Sequence, residues 1–196
     1  FLVGHMGYMG AAPALYKKLS YDPVADFEAV FRFPDTPLVL MVRNDHPAKN
    51  VKELYDYAKK NPDQVFLGNA GLGSSSHLIA ALVANAAGAD VKHVPYKGAG
   101  PALIDVVGGQ IDGMYDQTNT AFPQINEKRV RALAVTSKTR LPQLKDVPTL
   151  SETILPGFEA STWYGIYAPK GTPKAAVEKM QNSFLKAMKD KAYTDK

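Results

Sequence analysis

Between residues 65 and 128 the chain passes three times through the same succession of a short apolar run, a glycine- and polar-rich loop, and a helical stretch. Val65-Phe66-Leu67-Gly68 leads through Asn69-Ala70-Gly71-Leu72-Gly73-Ser74-Ser75-Ser76 into a helix expected over residues 77–87 and stopped by Gly88. Val91-Lys92-His93-Val94-Pro95 leads through Tyr96-Lys97-Gly98-Ala99-Gly100 into residues 101–107, where Pro101 suits the first turn and Gly108-Gly109 the stop. Ile111-Asp112-Gly113-Met114-Tyr115 leads through Asp116-Gln117-Thr118 into a helix near residues 121–128. Strands alternating with helices bury their apolar faces as a sheet covered by helices, so the chain is read as α/β.

The flanking sequence extends this pattern. Residues 1–4 read as the end of a buried strand, 11–18 as a short helical turn and 21–27 as a polar turn. Pro37-Leu38-Val39-Leu40-Met41-Val42 is a continuous apolar run of strand length, closed by Asn44-Asp45-His46-Pro47. Residues 51–60 carry apolar side chains at helical spacing and end at Asn61-Pro62. Further strands are expected at 130–136 and 164–169. The second precedes a helix with Val177, Met180, Phe184, Leu185 and Met188 on one face, and residues 189–196 read as a fraying end. The strands near 40 and 164 bracket a compact α/β unit, as a two-domain hinge requires. The expected division is 1–40 as part of lobe 1, 41–163 as lobe 2, and 164–196 returning to complete lobe 1.

Composition narrows the chemistry. With 196 residues, 45% hydrophobic and 21% charged, there is enough chain for one large or two small cored domains. No apolar run approaches the roughly 18 residues of a membrane span. The absence of cysteine excludes disulfides, thiolate catalysis, zinc fingers and iron–sulfur ligation. Lys plus Arg number 23 against 19 Asp plus Glu, a net charge of +4. The basic pairs Lys17/Lys18 and Lys59/Lys60 fall at expected helix ends, where they suit the helix dipole, and no clustered basic stripe marks a nucleic-acid surface. His5, His46, His77 and His93 are dispersed and match no short metal-ligand spacing, so no metal and no cofactor are expected.

The loop Asn69-Ala70-Gly71-Leu72-Gly73-Ser74-Ser75-Ser76 is the strongest local feature. A helix N-terminus exposes unpaired N–H groups and partial positive charge, so this loop is suited to a carboxylate, phosphate or sulfate. Charge-assisted hydrogen bonds contribute about 1.5 to 3 kcal/mol each, so two or three with burial approach the roughly −8 kcal/mol of micromolar affinity. The same residues also suit a simple role, with Ser74 capping the helix and the glycines making the turn. The spacing fits neither the dinucleotide G-x-G-x-x-G nor a P-loop, and no serine stands in G-x-S-x-G. At the next two strand ends, Tyr96 and Lys97 either line a pocket or form a solvated turn, and Asp116 either orients a ligand or caps the next helix. His5, after the opening strand, faces either a cleft or the core edge.

Several runs resemble one family collinearly along nearly the whole chain. They are Pro13-Ala14-Leu15-Tyr16-Lys17-Lys18-Leu19-Ser20-Tyr21-Asp22-Pro23, Gly73-Ser74-Ser75-Ser76-His77-Leu78, His93-Val94-Pro95-Tyr96-Lys97-Gly98 and Arg131-Ala132-Leu133-Ala134-Val135-Thr136-Ser137. Asp146-Val147-Pro148-Thr149, Trp163-Tyr164-Gly165 and Ala168-Pro169-Lys170-Gly171-Thr172-Pro173 extend the match. The chain resembles the Bug family, the extracytoplasmic solute-binding proteins of tripartite tricarboxylate transporters. The resemblance implies a two-lobed periplasmic-binding-protein fold (type II-like) that closes on a small organic acid without catalysis. It further implies a periplasmic, monomeric receptor whose partners are membrane transporter subunits rather than nucleic acid. Carried over, Asn69, Ala70, Gly71, Gly73, Ser74, Ser75 and Ser76 form the carboxylate cradle, Tyr96, Lys97 and Asp116 line the cleft, and His5 is the contribution of the first lobe. The family's N-terminal strand and loop lie outside this sequence, so the first lobe is expected to be incomplete. The competing reading is the ligand-sensing effector domain of a LysR-type transcription regulator.

Overall fold

The computed structural model describes residues 1–191. Part of the expected fraying end, residues 192–196, lies outside the described residues. The chain opens with β1 (Leu2–His5), a π-helical turn (Met6–Ala11), α1 (Ala12–Leu15) and β2 (Phe27–Arg32). It continues through β3 (Thr36–Arg43), α2 (Val51–Lys60), β4 (Phe66–Asn69), α3 (Ser75–Ala87), β5 (Lys92–Pro95), α4 (Ala99–Val107), β6 (Gly113–Gln117) and α5 (Thr118–Asn126). There follow β7 (Val130–Val135), a 3-10 turn (Pro142–Leu144), α6 (Leu150–Thr153), β8 (Ser161–Thr162), β9 (Tyr164–Pro169) and α7 (Lys174–Ala187). Two compact units result, Thr36–Thr162 and a second made of Phe1–Asp35 with the segment that begins at Trp163. The division falls before β3 rather than at 40/41, because the whole of that strand is paired within the larger unit.

The larger unit is built on a sheet of order β5-β4-β6-β3-β7. β4 runs parallel to β5 and β6, whereas β3 is antiparallel to both its neighbours. Period-2 alternation assigns the apolar run of β3 to two cores at once. Leu38, Leu40 and Val42 pack with Val51, Leu54 and Tyr55 of α2 and with Ile79, Ala80 and Val83 of α3. Val39 and Met41 pack on the other face with Ala102 and Val106 of α4 and Ala121 of α5. A strand covered on both faces has no use for polar alternation, which is why its sequence is continuously apolar. Helix α2 follows the same logic: Val51, Leu54, Tyr55 and Ala58 are its buried stripe, Asn50 caps its start, and Lys59 and Lys60 sit in its last turn.

The smaller unit has a three-stranded sheet of order β1-β9-β2, with both neighbours antiparallel to β9. A bulge leaves Val30 unpaired between Ala29 and Phe31, and this residue joins Ile166, Ala168 and Val177 in the core. Phe184 stacks on Phe31 at 5.4 Å and meets Phe33 edge-on at 5.6 Å. Three differences from the sequence reading appear here. Leu185 is exposed and not on the packed face of α7, Leu2 and Val3 of β1 are exposed rather than buried, and β2 forms where only a turn leading onward was expected. Among the described residues no helix is long and apolar enough to cross a membrane.

Candidate functional site

Because β4, β5 and β6 are parallel, their carboxyl ends lie along one edge of the larger unit's sheet, where open α/β sheets place their ligands. Three expected loops therefore come together: 70–74 after β4, 96–98 after β5, and the junction of β6 with α5. The first two are joined by backbone hydrogen bonds, with Tyr96 N–H donating to Asn69 O (3.0 Å) and Gly98 N–H donating to Ala70 O (3.3 Å).

The first loop is held from within. Asn69 is fully buried, and its Oδ1 accepts from Gly71 N–H at 3.1 Å. Ala70 N–H donates to Ser76 Oγ (3.0 Å), Ser74 N–H to Gly71 O (3.1 Å), and Gly73 N–H to His77 Nδ1 (3.2 Å). Ser74 is the N-cap of α3, its Oγ accepting from His77 N–H at 3.3 Å and lying 3.1 Å from Ser76 Oγ. Gly71 (φ +122°) and Gly73 (φ +78°) both adopt left-handed backbone, which side chains other than glycine's resist. Two kinds of donor remain without an acceptor among the described residues. One is the pair of N–H groups of Ser75 and Ser76 in the first turn of α3; the other is the buried Nδ2 of Asn69. A helix start with open donors attracts an anion.

The remaining expected residues separate by role. Ser75 Oγ lies 2.6 Å from Thr162 Oγ1, and both residues are buried, so this hydroxyl ties α3 to β8. Ser75→Ala is expected to cost about 1–3 kcal/mol by leaving the Thr162 hydroxyl buried without its partner, while ligand affinity stays within twofold; thermal melting with parallel ligand titration measures both. Asp116 is nearly inaccessible, and its side chain is engaged at the start of the next helix. Its carboxylate accepts from Gln117 N–H (2.8 Å) and Thr120 Oγ1 (2.6 Å) at the start of α5, and burial raises its pKa. Tyr96 donates its hydroxyl to Asp105 Oδ2 at 2.6 Å, and burial, followed by that bond, pushes its pKa up to about 12. Lys97 is exposed on the same loop. His5 belongs to the smaller unit, where it caps the π-helical turn with Nδ1 accepting from Gly7 N–H (2.9 Å) and its ring 4.1 Å from that of Tyr8.

Sequence reasoning treated the histidines as dispersed. The fold instead brings His77 of α3, bonded to Gly73 of the glycine loop, and His93 of β5 edge to face at 5.3 Å, and burial lowers the pKa of both. The available signal was the position of His77 three residues after a capping serine, where a side chain can reach back over the helix start.

A family model described as "Tripartite tricarboxylate transporter family receptor" matches residues 2–196. A curated protein of Pseudomonas sp. strain P51, the "UPF0065 protein in tcbD-tcbE intergenic region", is 42% identical over 174 residues, covering 88% of this chain and 52% of that protein. The chain spans about half the length of the curated relatives it matches. Among solved structures, the periplasmic binding protein BugD aligns with a TM-score of 0.93 and 41% identity, over 98% of this chain and 64% of that one. MatC from Rhodopseudomonas palustris with bound malate aligns with a TM-score of 0.90 and 38% identity, over 96% of this chain and 64% of that one. The α/β fold described above is thus that of periplasmic binding proteins.

Proposed function

The chain belongs to the tripartite tricarboxylate transporter receptor family, and we propose on that ground that it is part of a periplasmic receptor that captures a small organic acid for delivery to membrane transporter subunits. The two compact units correspond, on this reading, to the expected lobes. The observation that carries it is the start of α3, where open N–H groups and left-handed glycines stand at the carboxyl edge of the sheet. A carboxylate supplies the acceptors that the Ser75 and Ser76 N–H groups and Asn69 Nδ2 lack. The malate bound in MatC is an acid of this class.

Binding without reaction fits the same geometry. His77 Nδ1 is already occupied by Gly73 N–H, so that nitrogen does not serve as a base for the neighbouring serines, and Ser74 and Ser76 bond to each other. The effector-domain reading draws no support from the relatives described above.

Titration calorimetry of the protein against mono-, di- and tricarboxylates, with amines and sugars as controls, tests this function. A micromolar carboxylate response supports it, and a response confined to the amines or sugars overturns it. Replacing Ser74 and Ser76 together by alanine is expected to weaken acid binding at least about tenfold, the value of one charge-assisted bond. Loss of the Ser74 cap lowers the melting temperature by only a few degrees. Unchanged affinity in the double variant removes those hydroxyls from the site.

A further inference from the structure

Three of the four histidines use Nδ1 in the same way, as acceptor of a backbone N–H: His5 from Gly7, His46 from Ala48 and His77 from Gly73. A nitrogen that accepts carries no proton, so each of these bonds requires the neutral ring. His77 is the one placed in the candidate loop. It is the third residue of α3, and Ser74 holds its backbone N–H while its own ring reaches back to hold that of Gly73. This is the reciprocal logic of a capping box, with imidazole in the place usually taken by Glu or Gln and the bond displaced by one residue. Imidazole differs from those side chains in one respect: a proton turns its acceptor into a donor.

We propose that neutral His77 is the positioning residue that keeps the Gly71-Leu72-Gly73 backbone in its ligand-receiving shape, and that acid releases it. This deepens the reading of the loop as a carboxylate site and rests on it. Protonation of Nδ1 sets a donor against the Gly73 N–H, so the bond is lost, and it adds positive charge to the positive end of the α3 dipole. The titratable group packed against His77 is His93, at 5.3 Å. His93 has a buried Nδ1 without a partner and feels Asp90 in the opposite sense to His77. Among the described residues no carboxylate is paired with His77 to hold the imidazolium. Burial lowers its pKa below the ordinary 6.5, so the folded state favours the neutral ring. The stability contributed by this bond is complete above that ordinary value and is lost as the pH falls through the lowered one.

Nitrogen-detected NMR of the ligand-free protein tests the bond itself. The His77 ring is expected as the Nε2–H tautomer, and the Gly73 amide is expected to shift with the midpoint of the His77 titration, below 6.5. A Gly73 amide indifferent to that titration overturns the proposal, whatever the protein binds. Affinities for malate, succinate and citrate across the same pH range then test the consequence. Wild type is expected to lose at least about tenfold on acidification. His77→Asn, whose carboxamide oxygen replaces Nδ1 and does not titrate, keeps the neutral-pH affinity and loses the step, and it also carries the background of ligand protonation. His77→Leu, which has no acceptor, is weak at every pH. Affinity that rises in acid, through attraction of the anion to imidazolium, overturns the proposal, as does wild-type affinity in His77→Leu. If none of the acids binds, the carboxylate reading fails while the Gly73 signal still decides the latch.

Discussion

Gly113→Ala is expected to destabilise the protein by about 3 kcal/mol or more, the upper range for forcing atoms into a packed interior. Gly113 opens β6 between two other strands, opposite Val42 of β3 and Leu67 of β4. A Cβ there collides with the carbonyl oxygen of Met41 and lies 2.9 Å from Val42 Cγ1 and 3.2 Å from Val42 Cα. The first obstacle is backbone, so no rotamer change relieves it, and β3 and β6 must separate. Separation there strains both cores, because Val42 and Met41 belong to opposite faces of the sheet. Gly100→Ala, early in α4 with open space around it, serves as the contrast and is expected to be neutral or slightly stabilising. Chemical denaturation of the two variants decides the matter; a Gly113→Ala protein with the wild-type midpoint shows that the strands yield without penalty.

The largest effect on binding is expected from Gly71→Val, a loss of about 100-fold or more in acid affinity for a local strain of about 1–3 kcal/mol. At φ +122° a β-branched residue must change its backbone conformation, and the new Cβ stands 3.3 Å from the carbonyl oxygen of Tyr96. Rotating this peptide breaks the Gly71 N–H bond to Asn69 and the turn from Ser74 N–H to Gly71 O. The donors at the start of α3 are then no longer aligned with the rest of the loop. Calorimetric titration beside thermal melting separates the outcomes: a folded variant without affinity fits the cradle, and a folded variant with wild-type affinity removes this backbone from the site.

Sequence carried those parts of the fold in which local pattern and tertiary environment agree. The buried stripe of α2, the continuously apolar β3 and the glycine at the end of α3 are each a short-range signal with one physical meaning. β2 was hidden because its bulge at Val30 breaks the two-residue period, and Glu28 and Arg32 give it a polar appearance. β8 is two residues long and exists through pairing with Thr36 and Pro37, a contact with no local signature. β6 starts at Gly113 rather than Ile111, and the Asp112 side chain accepts from Phe66 N–H and Arg43 Nε. In the candidate site, the glycine turn and the Ser74 cap were visible, whereas the separate employment of the three serines was not. The bond from Ser75 to Thr162 spans 87 residues, and only the fold makes it.

The pairing of Thr36 with Thr162 and the central place of β9 also dictate an order of events in time. The larger unit begins and ends on adjacent strands, so everything it needs has been synthesised once residue 162 is available. In the smaller unit, among the described residues, β1 and β2 both pair with β9, which follows β2 by some 130 residues. Until β9 has been synthesised, its pairings with β1 and β2 cannot form. Completion of the smaller sheet is therefore a late, long-range closure, the kind of contact that slows folding.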